Sequence, residues 1–125
     1  MSSVNIVIAQ KNSTTAQELA RALSVHFSSV SVATSARELE VILRRQQPRV
    51  AVVDMELIPL DQLTKLTKVS PGLSIVCTHR VPDEWMWMAA LRAGAAEFCH
   101  PRDLGVILHV AQRTPATHPH PPIAA

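Results

Sequence analysis

Glycine is scarce in this chain: Gly72, Gly94 and Gly105 are the only three in 125 residues. Neither G-x-G-x-x-G nor G-x-x-x-x-G-K-[ST] can be written anywhere along it, so a Rossmann dinucleotide fingerprint and a phosphate-binding P-loop are both excluded at the level of motif. Cysteine is scarce too. Cys77 and Cys99 cannot build a disulfide scaffold, and reduced thiols in a cytoplasmic protein are the simpler expectation. Neither sign of charge is in excess, since twelve Lys and Arg against ten Asp and Glu leave +2. So small a balance gives no electrostatic reason to expect nucleic acid or an anionic membrane as partner. No apolar run approaches the ~18 residues of a membrane span. Met1-Ser2-Ser3-Val4-Asn5 lacks the basic opening of a secretion signal. Neither spanning nor secretion is expected.

What the chain does contain is an ordinary globular composition, 47% apolar and 18% charged. Its length suits one domain that buries a core without disulfides or a structural metal. Apolar runs alternate with amphipathic stretches. Val4-Asn5-Ile6-Val7-Ile8-Ala9 is short and β-branched and reads as a buried strand. Ala16, Leu19, Ala20, Leu23 and Phe27 follow helical spacing, with Ser13 or Thr14 as the expected cap. Val30, Val32 and Ala33 mark a second strand, and Ser35 precedes a helix carrying Ala36, Leu39, Ile42 and Leu43. Val50-Ala51-Val52-Val53 is the most uniformly apolar run, the expected centre of a sheet. Leu60, Leu63, Leu66 and Val69 make a third helix, and Leu73 to Cys77 a fourth strand. Pro82-Asp83-Glu84 opens a helix that stops at Gly94. Ala96 to Cys99 is a short fifth strand, and Leu104, Ile107, Leu108 and Ala111 mark the last helix.

Five βα units imply a parallel sheet covered on both faces, and they are too few for an eight-stranded barrel. The expected fold class is α/β, a flavodoxin-like (βα)5 doubly wound sheet with strand order 2-1-3-4-5, over residues 1–113. Residues 114–125 differ. Four of the nine prolines fall between Thr114 and Pro122, and the segment is expected to be a flexible tail or linker, its His118 and His120 binding nothing unaided. Sheets of this kind collect functional groups beyond the carboxyl ends of the strands. Those ends carry Ala9-Gln10, Thr34, Asp54-Met55-Glu56, Cys77-Thr78-His79 and Cys99-His100.

Asp54 follows four apolar residues of the central strand, which places a carboxylate at the sheet edge where a ligand reaches it. An Asp there also serves as an ordinary turn cap. The set around it narrows the choice. Asp54 after strand three, Thr78 after strand four, Ala93-Gly94-Ala95 before strand five, and Phe98 and Pro101 around that strand together resemble a response-regulator receiver domain over residues 4–113. The resemblance implies that Asp54 stands at the position phosphorylated by a histidine kinase. It implies that Thr78 is the hydroxyl that contacts the phosphoryl group, that Phe98 is the aromatic that responds, and that the backbone carbonyl of Glu56 helps to hold Mg²⁺.

The chain departs from that pattern where charge matters most. Receivers carry an acid pair at the end of strand one; here Ala9 and Gln10 stand there, with Lys11 beside them. The lysine after strand five is missing, and His100 is the nearest occupant. A pair of unit charges at 4 Å is worth on the order of 1–4 kcal/mol between water-like and surface-like dielectric. Losing two carboxylates that face a hard dication therefore weakens Mg²⁺ binding by about 100-fold or more. Charge on a transferring phosphoryl group is left with little to neutralise it. The expectation is an atypical receiver, a pseudo-receiver, with Mg²⁺ weak at best and no other cofactor.

Two further features stand out. Cys77 and Cys99 end neighbouring strands, with His79 and His100 close by. Soft S and N ligands of this kind suit zinc, although no C-x₂-C spacing is present and buried Cys is a frequent core residue. Trp85, Met86, Trp87 and Met88 run in sequence on helix four. Met86, Ala89, Ala90 and Ala93 share one helical face, leaving Trp87 and Leu91 on another. Either the helix has a wide buried face, or Trp85 and Trp87 lie flat over neighbouring side chains, or Trp85, Trp87, Met88 and Leu91 form an interface.

The first reading is therefore a cytoplasmic, non-enzymatic signalling module acting by protein contact, with a histidine kinase among its partners and a homodimer through helix four. Ala90 to Phe98 is also similar to receiver-like domains of pilus-assembly and partitioning-type ATPases, which gives a second reading, a targeting domain whose tail leads to an ATPase domain. A third is a small metal or thiol protein using Cys77, Cys99 and His100.

Overall fold

Each apolar run read as a strand becomes one. In the computed structural model, which describes residues 5–113, the strands are β1 (Asn5–Ala9), β2 (Ser29–Ala33), β3 (Val50–Asp54), β4 (Ser74–Thr78) and β5 (Glu97–Cys99). They pair in parallel in the order β2-β1-β3-β4-β5. Between and after them lie α1 (Ser13–Leu23), α2 (Ala36–Gln46), α3 (Leu60–Val69), α4 (Glu84–Arg92) and α5 (Leu104–Arg113). The tail or linker expected at 114–125 lies outside the described residues. No helix among the described residues is long and apolar enough to cross a membrane.

Alternation along the strands sorts the core into two layers. Val7, Ala9, Ala51, Val53, Ile75, Cys77 and Phe98 point to one face, where Leu39, Leu43, Leu63, Leu66 and Ala90 of α2, α3 and α4 cover them. Ile6, Ile8, Val50, Val52, Val76 and Cys99 point to the other, beneath Leu19 and Leu23 of α1 and Ile107, Val110 and Ala111 of α5. β3 is buried along its whole length, as its uniform sequence requires of a central parallel strand.

Local chemistry fixes the helix starts. The cap of α1 is Asn12, not Ser13 or Thr14: its Oδ1 accepts from the Thr15 backbone N–H at 2.9 Å, and the two hydroxyl residues fall inside the first turn. Ser35 caps α2 and Asp83 caps α4, at the helix starts that the sequence predicts. Gly94 ends the approach to β5 at φ 112°. A Cβ placed on it would stand 2.6 Å from Thr67 Cγ2, so the α4–β5 turn and its seat against α3 both need glycine.

Candidate functional site

Parallel register sets Asp54 directly beside Thr78 at the carboxyl edge of the sheet. Both close their strands as the last residue, one position further than the apolar runs alone predict. β1 ends one strand away, so Gln10 follows it onto the same edge. These residues, with Lys11, Asn12, Thr15, Glu56, His79, Arg80 and Pro101, line a cleft of about 280 Å³.

Its floor is polar and fully partnered. The Asp54 carboxylate, only 6% exposed, accepts the Lys11 backbone N–H on Oδ2 at 3.0 Å and the Glu56 backbone N–H on Oδ1 at 2.9 Å. Gln10 and Thr78 are buried beside it, and the Gln10 amide Nε2 donates to the Thr78 hydroxyl at 3.0 Å. Over the mouth, Arg80 donates to both Glu56 oxygens, Nε to Oε1 and an Nη to Oε2, each at 3.0 Å. That hydrogen-bonded guanidinium holds the Glu56 carboxyl below its ordinary value of 4.5; partial desolvation opposes it, and the charges of Arg80, His79 and Lys11 add to it. The pair is open to solvent, so its effect is on position more than on stability.

Arg80 is the residue that the sequence reading missed. A lone arginine two places after Thr78, between a strand end and a helix cap, was the available signal. Glu56 in turn presents its N–H to Asp54 and its carboxylate to Arg80. A hard dication prefers several carboxylate oxygens and waters in a strict octahedron, and the carboxylates lining this cleft are Asp54 and a Glu56 already held by Arg80, with Lys11 alongside. The donor set does not fit Mg²⁺.

Other candidates are placed elsewhere. His100 does not line the Asp54 cleft. Its Nδ1 accepts the Arg102 backbone N–H at 3.0 Å, and this short turn holds the ring in an adjoining groove lined by Thr15, Glu18, Arg80, Pro101 and Arg102. Ala9 and Phe98 are buried in the layer beneath α2, α3 and α4. Phe98 is thus packed inward, not exposed at the edge.

The cysteines do not converge. Cys77 pairs in register with Phe98 and Cys99 with Thr78; this one-residue offset sends the two thiols to opposite faces of the sheet. Burial pushes each thiol up to about 12, aided at Cys77 by Cys99 and at Cys99 by Asp103 and Glu97. Neither is a ready nucleophile. Among the described residues no group of three or more His, Cys, Asp or Glu is placed to hold a metal ion. The thiol or metal site built on Cys77, Cys99 and His100 is corrected by this geometry.

α4 follows the facial division expected of it. Ala90 is buried, and Met86 and Ala93 pack on the core beside it. Trp85 is 73% exposed, Trp87 and Met88 43% each; Leu91 is half-buried. The Trp87 indole N–H donates to Glu97 Oε1 at 3.4 Å. The wide buried face is therefore not what this helix builds.

No protein-family model and no curated protein sequence matches the chain. Solved structures do. The N-terminal signal receiver domain of a two-component system response regulator from Bacteroides fragilis superposes with a TM-score of 0.81 at 24% identity, covering 94% of this chain and 100% of that one. A CheY-like response regulator receiver domain protein from Methanospirillum hungatei gives 0.75 at 20% identity, over 89% and 96% of the two chains. A response regulator protein from Burkholderia pseudomallei, solved with a phosphorylated aspartic acid, calcium ion and citrate, gives 0.78 at 21% identity over 88% and 67%. The class that the fold defines is the open, doubly wound (βα)5 sheet. Within that class, the chain has the receiver-domain fold.

Proposed function

We propose that this chain is an atypical receiver, a pseudo-receiver, that serves signal transduction by protein contact and does not depend on phosphorylation of Asp54. The observation that carries this reading is the end of β1. Where phosphoryl transfer needs carboxylates to hold a dication, the chain offers Ala9, which is buried in the core, and Gln10, whose amide is committed to Thr78. Each Asp54 oxygen accepts one backbone N–H. Without the acid pair of β1 or a lysine after β5, and with Arg80 already engaged by Glu56, negative charge developing on a transferred phosphoryl group has little to neutralise it. Incubation with acetyl phosphate and millimolar Mg²⁺, followed by intact-mass measurement, is expected to leave the protein at its unmodified mass. A phosphoryl adduct localised to Asp54 overturns the reading.

The contact surface is α4. Trp85, Trp87, Met88 and Leu91 form an apolar band of a kind enriched at interface centres, and a second copy of the chain is its proposed occupant, in a two-fold dimer that uses the band twice. Residues 1–113 form the contact module and 114–125 the tail or linker. Two unpaired buried cysteines accord with a cytoplasmic setting. A targeting module joined to an ATPase is the second reading, and it differs from the first in partner.

A further inference from the structure

We infer that Gln10 is a positioning residue for α4: through the Thr78 hydroxyl, and together with the grip of Glu56 on Arg80, it fixes the β4–α4 connection without any modification of Asp54. The inference goes beyond the contact reading and holds whether or not α4 has a partner.

The geometry begins with burial. Thr78 is fully buried and Gln10 is 4% exposed, and their hydrogen bond links residues 68 apart in sequence. It crosses from the end of β1 to the end of β4 over β3, which lies between them. Inside a protein such a bond is stronger than in water, and breaking it strands a buried amide. Thr78 is held on its other side as well, because its carbonyl accepts the Met55 N–H at 3.0 Å. The last residue of β4 is therefore fixed from two directions.

Only five residues, 79–83, separate Thr78 from the first residue of α4. They are tied as they leave the sheet. The His79 N–H donates to the Cys99 carbonyl at 3.2 Å, and the Val81 N–H donates to His79 Nδ1 at 3.0 Å. Arg80 is fastened to Glu56 by its two-pronged ion pair. Beyond Arg80, Val81 is 70% exposed and Pro82 and Asp83 are also exposed, so the chain there has little packing to locate it. α4 itself fully buries only Ala90. With Met86, Ala93 and Gly94 locating the body and far end of α4, its entry through so short a connection is set by the two ties at the cleft. The Gln10–Thr78 bond is the inner tie and Glu56–Arg80 the outer one.

The test uses the chain as it is and reads backbone amide exchange residue by residue by NMR. Thr78→Val removes the hydroxyl and keeps the shape; Thr78→Ser keeps the hydroxyl and loses a buried methyl. If the hydroxyl positions α4, the Val81, Met86 and Trp87 amides exchange roughly fivefold to tenfold faster in Thr78→Val, the scale of one lost buried hydrogen bond. They keep wild-type rates in Thr78→Ser, even if that variant melts earlier. Gln10→Ala is expected to match Thr78→Val. Glu56→Gln, an exposed change that leaves the core intact, gives a smaller acceleration at the same amides and secures the test if a buried variant fails to fold. Equal acceleration in Thr78→Val and Thr78→Ser would assign the effect to packing and overturn the inference. So would unchanged α4 amides in both Thr78→Val and Glu56→Gln. Phosphorylation of Asp54 tests the contact reading, whereas these rates are read on the unmodified protein, so the two can fail separately.

Discussion

Helices α2 and α4 cover the same face of the sheet on opposite plans. α2 buries Leu39 and Leu43 and turns Arg37, Glu38, Glu40, Arg44 and Arg45 outward, with Glu40 and Arg44 paired at 3.8 Å. It also begins with a reciprocal cap. Ser35 Oγ accepts the Glu38 N–H at 3.1 Å, while Glu38 Oε1 accepts the Thr34 N–H at 2.7 Å. α4 fully buries a single alanine and turns two tryptophans and a methionine outward. One helix is specified by its own sequence. The other is specified by what lies next to it, and its outer face resembles a core with no layer on top.

That contrast can be broken from either side. Leu39→Ala should remove about 2–5 kcal/mol, as large-to-small changes at fully buried sites do, and urea unfolding would measure it; a loss below 1 kcal/mol would mean that α2 is not the anchored helix. Gly94→Ala attacks the far end of α4, where φ is 112° and Thr67 leaves no room for a Cβ. A loss of about 1–3 kcal/mol is expected in thermal melts. Trp87→Ala should change stability by no more than about 1 kcal/mol, in the manner of surface sites, yet convert a wild-type dimer to monomer in sedimentation equilibrium. A wild-type monomer at high concentration, or a variant that unfolds, would count against the α4 interface.

The smallest effect is one of pH. Glu56 holds its proton less tightly in the folded chain than in the unfolded one, so its contribution is present above its ordinary value of 4.5. It fades as pH falls through the lower folded value. Acidification should therefore loosen the Trp87 amide, whose acceptor is the Asp83 backbone carbonyl, ahead of those of α2, and Glu56→Gln should remove the difference.

Much of this architecture was legible in the order of residues. Strand three announced itself through Val50 to Val53, since four apolar residues in a row suit only a strand covered on both faces, and the topology followed from the βα alternation. Asp54 and Thr78 were found because strand ends are visible as the places where apolar runs stop. What the sequence could not convey was pairing across the edge. Gln10 looked like a missing acid and proved to be a donor to Thr78, a bond that depends on β1 lying two strands from β4. Arg80 drew no notice because its partner, Glu56, is 24 positions away. The likeness of Cys77 and Cys99 misled for a related reason: neighbouring strand ends share a site only when their residues fall on the same face, and a one-residue offset in register is not written in either strand.

That same offset gives the protein a property of another kind. Cys77 lies under the layer of α2, α3 and α4, and Cys99 under that of α1 and α5, so each layer conceals one native sulfur and no engineering is needed to tell the layers apart. A thiol reagent reaches either sulfur only when its layer lifts, and the chain thus carries two clocks. Timed alkylation with mass readout would show whether the two sides of the sheet open together, as one cooperative body, or separately, with the loosely seated α4 side running first.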